Sequence, residues 1–324
     1  MLHHQSKPIS SSNNFSNYLS HSDCYSALIL GTWALGGSHF GAYDTDNALS
    51  VIRRCYDEGV RQFDSAEFYA KGQSQDILKK ALAGMDPNSY VLHLKAGLRW
   101  DGNRVLHDGT EAHINQVVTD ALRFFKRDKM DVFLLHWPDP NTDIRIACDT
   151  LSRLRVTEKI AFWGLCNLEK KHLNHIQGYD YSVCHFHYNP LYTATSDLMR
   201  NLHKDQTYIA AYSPFEQGLL VNPEFLSENI LAKRDIRRRN PFFSDSQVAT
   251  ALKTLFTCHC DSFSYSQIII QWIIDTDFVD GVVFGSRFKD QLDLILDVLK
   301  FSKIQKNHLR QTAFYQRLSS LLKT

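Results

Sequence analysis

The sequence lacks an excess of either charge. Its 36 Lys and Arg stand against 35 Asp and Glu, a formal net charge of +1 over 324 residues. Charge-driven binding to nucleic acid or to an anionic membrane needs a clear basic surplus, so neither partner is expected. No apolar run reaches the length of a membrane-crossing helix. The seven cysteines are odd in number and scattered, which argues against a disulfide framework and for reduced thiols in a cytoplasmic setting. Cys258-His259-Cys260 has the wrong spacing for a zinc knuckle and no second thiol pair follows, so no metal is expected. His185 and His187 alternate along one expected strand and share a face, without a third ligand to complete a metal site. The first 22 residues are rich in Ser, His and Asn and lack the apolar core of a signal peptide. Residues 1–24 therefore read as a flexible polar tail, and residues 25–324 as a single domain.

What is present is a rhythm. Short apolar runs end in polar or glycine-containing residues, and longer stretches of helical periodicity follow them. Strands are expected over 27–30, 62–64, 91–95, 132–136, 162–165, 183–187, 208–211 and 281–284, and helices over 48–58, 74–82, 111–125, 144–154, 198–203, 246–256, 265–274 and 289–299. About eight β/α units is the number that closes a (β/α)8 TIM barrel. The connections are short except between Pro214 and Phe284, a stretch carrying the basic run Lys233-Arg234-Asp235-Ile236-Arg237-Arg238-Arg239. That run reads as a solvated loop or lid, with an anion contact as the alternative. Residues 303–322 read as an added amphipathic helix on the outside. A doubly wound sheet shares the alternation, but Gly31-Thr32-Trp33-Ala34-Leu35-Gly36-Gly37 does not match the dinucleotide fingerprint G-x-G-x-x-G.

In a β/α barrel the chemistry gathers at the carboxyl ends of the strands. The polar residues there are Trp33 with Gly31 and Thr32, then Asp64, Lys95, His136, Asn167, Asn189, Ser213, and Ser286 with Arg287. A carboxylate, an amine and an imidazole on three successive strand ends converge on one mouth. Lys95 in a partly desolvated rim needs a counter-charge, and Asp64 supplies it. Tyr69 lies one turn beyond Asp64, where an ammonium beside a phenol is expected to draw its pKa down from about 10. Tyr69 then serves as proton donor to a carbonyl oxygen, which His136 orients. Each of these residues alone is more often structural or a packed aromatic; the four in register are not so easily set aside.

These residues resemble the aldo-keto reductase family over residues 28–299. The resemblance rests on Asp64-Ser65-Ala66-Glu67-Phe68-Tyr69, Leu94-Lys95 and Leu135-His136-Trp137-Pro138-Asp139-Pro140. It implies a catalytic tetrad of Asp64, Tyr69, Lys95 and His136 with Tyr69 as general acid. Gly164-Leu165-Cys166-Asn167 resembles the Gly-Val-Ser-Asn motif that holds the nicotinamide carboxamide, with His185 at a position where the family carries Gln. Tyr212-Ser213-Pro214-Phe215 with Gly218 resembles the segment whose Tyr stacks on the nicotinamide and whose Ser reaches the pyrophosphate. Gly285-Ser286-Arg287, with Gln291 beyond, resembles the loop that receives the 2′-phosphate of NADPH, and Asp235-Ile236-Arg237 falls where some relatives carry Asp-x-Arg over the cofactor. Gly31, Thr32, Trp33 and Asp64 complete the implied cofactor contacts. The chain departs from the family at Cys166 (usually Ser), His185, Gln75 (usually Glu), and Leu294 and Ile295, which stand where a Glu-Asn pair grips the adenine. The N-terminal hairpin that closes the barrel floor in relatives is expected to be shortened.

The leading expectation is an NADPH-dependent reductase of aldehydes or ketones, with NADPH favoured over NADH on the strength of Arg287, and with Trp33, Trp100 and Trp137 walling the substrate. A second reading, favoured by the altered cofactor positions, is a degenerate member acting as a nucleotide-binding regulatory subunit. A third makes Lys95 a Schiff-base nucleophile, which its pairing with Asp64 opposes.

Overall fold

The computed structural model describes residues 14–37, 44–227, 231–232 and 235–321. Among the described residues ten strands form: β1 (Leu28–Gly31), β2 (Gln62–Asp64), β3 (Val91–Ala96), β4 (Leu98–Asp101), β5 (Arg104–His107), β6 (Met130–Leu135), β7 (Ile160–Cys166), β8 (Val183–His187), β9 (Tyr208–Tyr212) and β10 (Gly281–Phe284). Eight of them are parallel and close on themselves in the order β1-β2-β3-β6-β7-β8-β9-β10, with helices between. The protein is the (β/α)8 barrel that its alternation predicts. Gly164 permits the close approach of β7 to β8: a Cβ there would stand 1.7 Å from the Val183 carbonyl oxygen.

Every expected strand and helix forms, most with ends shifted by one or two residues. The fourth barrel strand begins earlier, at Met130, and ends before His136, whose N–H donates to Ala96 O at 2.7 Å. The helix expected over 289–299 stops at Leu296 and tightens into a 3-10 turn over Asp297–Lys300. The C-terminal helix is two helices, Lys303–Gln311 and Ala313–Leu318, because Thr312 is extended and caps the second by accepting from Tyr315 N–H. Residues 322–324, Lys233 and Arg234 lie outside the described residues.

The antiparallel hairpin of β4 and β5 was not expected from the strand pattern. Its signal was present: the two-residue loop Gly102-Asn103 joins Asp101 to its partner Arg104, and Gly102 adopts φ +60°.

The flexible-tail expectation is overturned for residues 14–24. Phe15–Ser20 is a helix capped by Asn14, whose side chain accepts from Asn17 N–H at 3.1 Å. Phe15, Leu19 and Cys24 are buried with Ile29, Val91, Val132, Phe162 and Tyr208 in the lower interior of the barrel. The Phe15 ring meets Tyr208 at 5.0 Å, Phe162 at 5.1 Å and His93 at 5.5 Å. A polar segment hid one apolar pair spaced i, i+4, and that pair plugs the floor. Residues 1–13 of the expected tail lie outside the described residues. Phe15→Ala is expected to lower the unfolding free energy by about 3 kcal/mol in denaturant titrations. A loss under about 1 kcal/mol would show that the floor does not depend on this plug.

Candidate active site

Parallel register sets the site. Gly31 pairs with Asp64, Asp64 with His93, and Lys95 with Leu134, so Asp64 and Lys95 leave neighbouring strands at the same mouth. Lys95 Nζ donates to Asp64 Oδ1 at 2.5 Å and Oδ2 at 2.6 Å, and to Tyr69 Oη at 3.0 Å. Both charged side chains are about 95% buried. Burial raises the Asp64 pKa and the ammonium pulls it back. Burial works against the Lys95 charge, but Asp64, Tyr69 and Cys166 outweigh it and the pKa rises. With both carboxylate oxygens on one ammonium, the pair is ionic and Lys95 keeps its proton. That removes the amine nucleophile on which the Schiff-base reading depends.

Tyr69 opens a tight turn, Tyr69–Gly72, in which Ala70 and Lys71 take left-handed backbone (φ 49° and 53°). The turn brings the phenol back over the mouth, in edge contact with His136 at 5.6 Å. The expectation that Lys95 draws the Tyr69 pKa down is overturned. Burial pushes it above its ordinary value, Lys95 offsets this only in part, and Asp64 adds to the rise. Tyr69 is thus a protonated donor at neutral pH. His136 is driven well below its ordinary value by burial, with Lys95 and His107 adding, so it is a neutral imidazole. A neutral ring can donate N–H to an oxygen held beside Tyr69.

A cavity of about 1760 Å³ opens over these groups and runs from Trp33 and Trp137 to Arg287 and Gln291. Gly31, Asp64, Cys166, Asn167, His185, Tyr212, Ser213, Phe215, Gly218, Gly285 and Ser286 also line it. Asn167 bridges two strand ends: its Nδ2 donates to His136 O at 2.8 Å and its Oδ1 accepts from Tyr212 Oη at 2.5 Å. His185 sits beneath, 3.5 Å from Asp64 Oδ2 through Nδ1, and its buried Nε2 has no partner among the described residues. Burial, then His93, Lys95 and His136, keep its pKa far below the ordinary value, so it stays neutral. Cys166 is pushed up to about 12 by burial and is a thiol.

Two expected contacts are placed elsewhere. The Thr32 side chain is fully buried and donates to Asp64 O at 3.0 Å and Ser65 Oγ at 2.8 Å, so it shapes the strand end without facing the cavity. Trp100 stands behind Phe68, stacked at 4.7 Å with its Nε1 donating to Phe68 O, and Phe68 lines the cavity in its place.

At the far end, Arg287 lies close enough to Arg237 for the two charges to oppose one another, with Asp235 between them in effect. Arg237 is held by Asp235 through 2.9 and 2.6 Å bonds and rests over the Phe225 ring. Leu294 and Ile295 line the same end and make it apolar. Sequence reasoning missed Tyr192, Glu216, Gln217 and Asn240, and weighed His187 only as a metal ligand; all five line the cavity. A single buried acid in a loop leaves no periodic trace.

The comparisons with known proteins agree with this geometry. The Aldo/keto reductase family model matches residues 27–313. Aldo-keto reductase YhdN of Bacillus subtilis is 26% identical over 285 residues, 84% of this chain and 85% of that one. NADH-specific methylglyoxal reductase of Escherichia coli is 27% identical over 212 residues, 60% of this chain and 65% of that one. Among solved structures, the glycerol dehydrogenase of Gluconobacter oxydans superposes with TM-score 0.76 at 26% identity, covering 92% of this chain and 93% of that one. The chain belongs to the aldo/keto reductase family, oxidoreductases that act on carbonyl groups with a nicotinamide cofactor.

Proposed function

We propose that the protein is an NADPH-dependent reductase of aldehydes or ketones in which Tyr69 is the general acid. The observation that carries this reading is the Asp64–Lys95–Tyr69 chain, an ion pair whose ammonium also donates to the phenol at 3.0 Å. When bound, the cofactor supplies the hydride that reaches the carbonyl carbon. The Tyr69 O–H transfers its proton to the carbonyl oxygen, and Lys95 stabilises the phenolate as it forms. His136 holds the same oxygen by an N–H bond, and Asp64 keeps Lys95 charged and in place. Trp33, Phe68 and Trp137 form an apolar rim that excludes water from the reacting carbonyl.

The residues present fit a nicotinamide dinucleotide. The Tyr212 ring would take the nicotinamide plane, and the unpartnered His185 Nε2 could accept from its carboxamide N–H2. Ser213 and the Phe215–Gly218 turn line the cavity where they would hold the pyrophosphate, and Ser286 with Arg287 would receive the adenosine phosphate. An apolar Leu294–Ile295 wall replaces polar contacts to the adenine with packing. The altered positions Cys166, His185, Leu294 and Ile295 favour the regulatory-subunit reading, but Asp64, Lys95, Tyr69 and His136 are all present at one mouth, which supports catalysis. The reading supported here places the protein in solution in the cytoplasm with a small carbonyl compound as its partner.

Tyr69→Phe is expected to cut turnover at least about 100-fold in NADPH-consumption assays, with nucleotide affinity changed less than about twofold. Loss of nucleotide binding instead would make Tyr69 structural. Arg287→Ala is expected to weaken NADPH about 10- to 100-fold and NADH far less, because only the former loses a charge-assisted contact. Equal weakening would remove the 2′-phosphate from Arg287. The raised Tyr69 and Lys95 values and the lowered His136 value predict a flat kcat/KM for reduction between about pH 7 and about pH 9. A basic limb centred inside that window would show Tyr69 titrating near neutrality.

A further inference from the structure

The cavity wall beside Tyr212 holds a buried acid that carbonyl reduction does not use. Glu216 is 2% exposed. Its Oε2 accepts from His187 Nε2 at 2.6 Å and Asn189 Nδ2 at 2.7 Å, and its Oε1 accepts from Asn240 Nδ2 at 2.6 Å. Burial works against its charge, but His187 and the two amides hold the pKa below the ordinary carboxylate value. Glu216 and Gln217 both take left-handed backbone, at φ 45° and 56°, a strained arrangement for side-chain-bearing residues. Such strain persists where the surroundings fix it, and it directs this carboxylate inward.

The second observation is a stack. The His187 ring lies nearly parallel to Tyr192 (4.4 Å, 10°) and to Tyr212 (5.5 Å, 14°). All three rings line the cavity with Glu216. The imidazole therefore backs the phenol of Tyr212, and a fixed carboxylate holds the imidazole by its edge. The two amides on Glu216 are neutral, so among its described partners His187 is the one titratable group. Lys95 is compensated by Asp64 and does not cancel the field of Glu216.

We propose that Glu216, held in place by His187, tunes the cofactor through Tyr212, favouring the oxidised, positively charged nicotinamide over the reduced, neutral one. The proposal rests on the reading that the nicotinamide lies against Tyr212. The physical argument is differential. An oxidised ring carries a unit charge that a reduced ring lacks, so a buried carboxylate a few ring thicknesses away stabilises only the former. The carboxylate is already oriented by its three partners, so no reorganisation accompanies the change in charge. A preference for the oxidised form is equally a lowered potential for the bound couple, with tenfold in relative affinity equal to about 30 mV. Glu216 and His187 are positioning residues here, since they act through Tyr212 and do not touch the reacting atoms.

The test is to titrate the full chain with NADPH and with NADP+, following tryptophan fluorescence, in the wild type, Glu216→Gln and His187→Gln. Glu216→Gln keeps the shape of the side chain and removes its charge. It is expected to lower NADP+ affinity relative to NADPH about five- to tenfold, with NADPH affinity within about twofold of wild type. His187→Gln leaves a hydrogen-bonded carboxylate without a titratable partner, so the relative affinity for NADP+ stays the same or rises. Equal weakening of both nucleotides by Glu216→Gln would mean that the acid only fastens the loop bearing Asn240, and the proposal falls. It falls as well if His187→Gln lowers the ratio. Should thermal melts show Glu216→Gln to be unfolded, His187→Lys takes its place, since it sets a fixed cation against the carboxylate. That variant is expected to lower the NADP+ to NADPH affinity ratio several-fold, and an unchanged ratio there overturns the proposal. A wild-type chain that binds neither nucleotide sinks the cofactor reading itself, and this inference with it.

Discussion

Everything at the mouth of this barrel depends on one buried ion pair. Asp64 and Lys95 leave adjacent strands, nearly excluded from water, and each would be costly to bury alone. Together they form a compact dipole whose ammonium has one direction left for hydrogen bonding, and Tyr69 occupies it. The position of the phenol follows from the pair and from the strained turn that returns it over the mouth. The closed barrel matters because it fixes both strand ends in register. Slipping β3 by one residue against β2 would turn Lys95 out of the interior.

The pair also explains why the electrostatics run against simple expectation. An ammonium beside a phenol favours phenolate, but here the ammonium is compensated by Asp64, and burial of the phenol dominates. The phenol keeps its proton, and the Lys95 ammonium donates to its oxygen at 3.0 Å. Beneath it the interior stays polar: His185 reaches Asp64, His93 lies 5.3 Å from His185, and His93 Nε2 meets Gln62 Oε1 at 3.0 Å. Barrel interiors are usually filled by branched apolar side chains. Here the polar column stands on Phe15, so the floor plug supports the layer on which the ion pair rests.

The sequence made the strand ends legible because barrel strands are short apolar runs with abrupt polar ends, and Asp64, Lys95 and His136 stand at three of them. Tyr69 was legible by its spacing from Asp64, but not its pKa, which depends on how much water the folded rim excludes. The role of Thr32 was misread because a hydroxyl at a strand end can face either the cavity or the neighbouring backbone, and pattern does not distinguish them. Phe15 and Leu19 were hidden in polar surroundings. Glu216 was invisible for a related reason: its significance comes from β8 and from Asn240, both distant in sequence, meeting a loop in left-handed backbone.

The two ends of the cavity are built on different principles. The end at Tyr69 is made of strand termini, a buried ion pair and an asparagine that ties His136 to Tyr212. The end at Arg287 is made of loops and helix starts, with Phe288 and Leu294 exposed and Arg237 already engaged by Asp235. Substitution at the first end alters charges that are nearly fully desolvated, so its residue types are tightly constrained. At the second, Ile295 is buried and Leu294 is exposed, so the wall offers packing and no hydrogen bonds. Glu216 lies at the junction, on a loop but buried, where a loop residue can act on the chemistry because the rigid end holds its partner His187 in place.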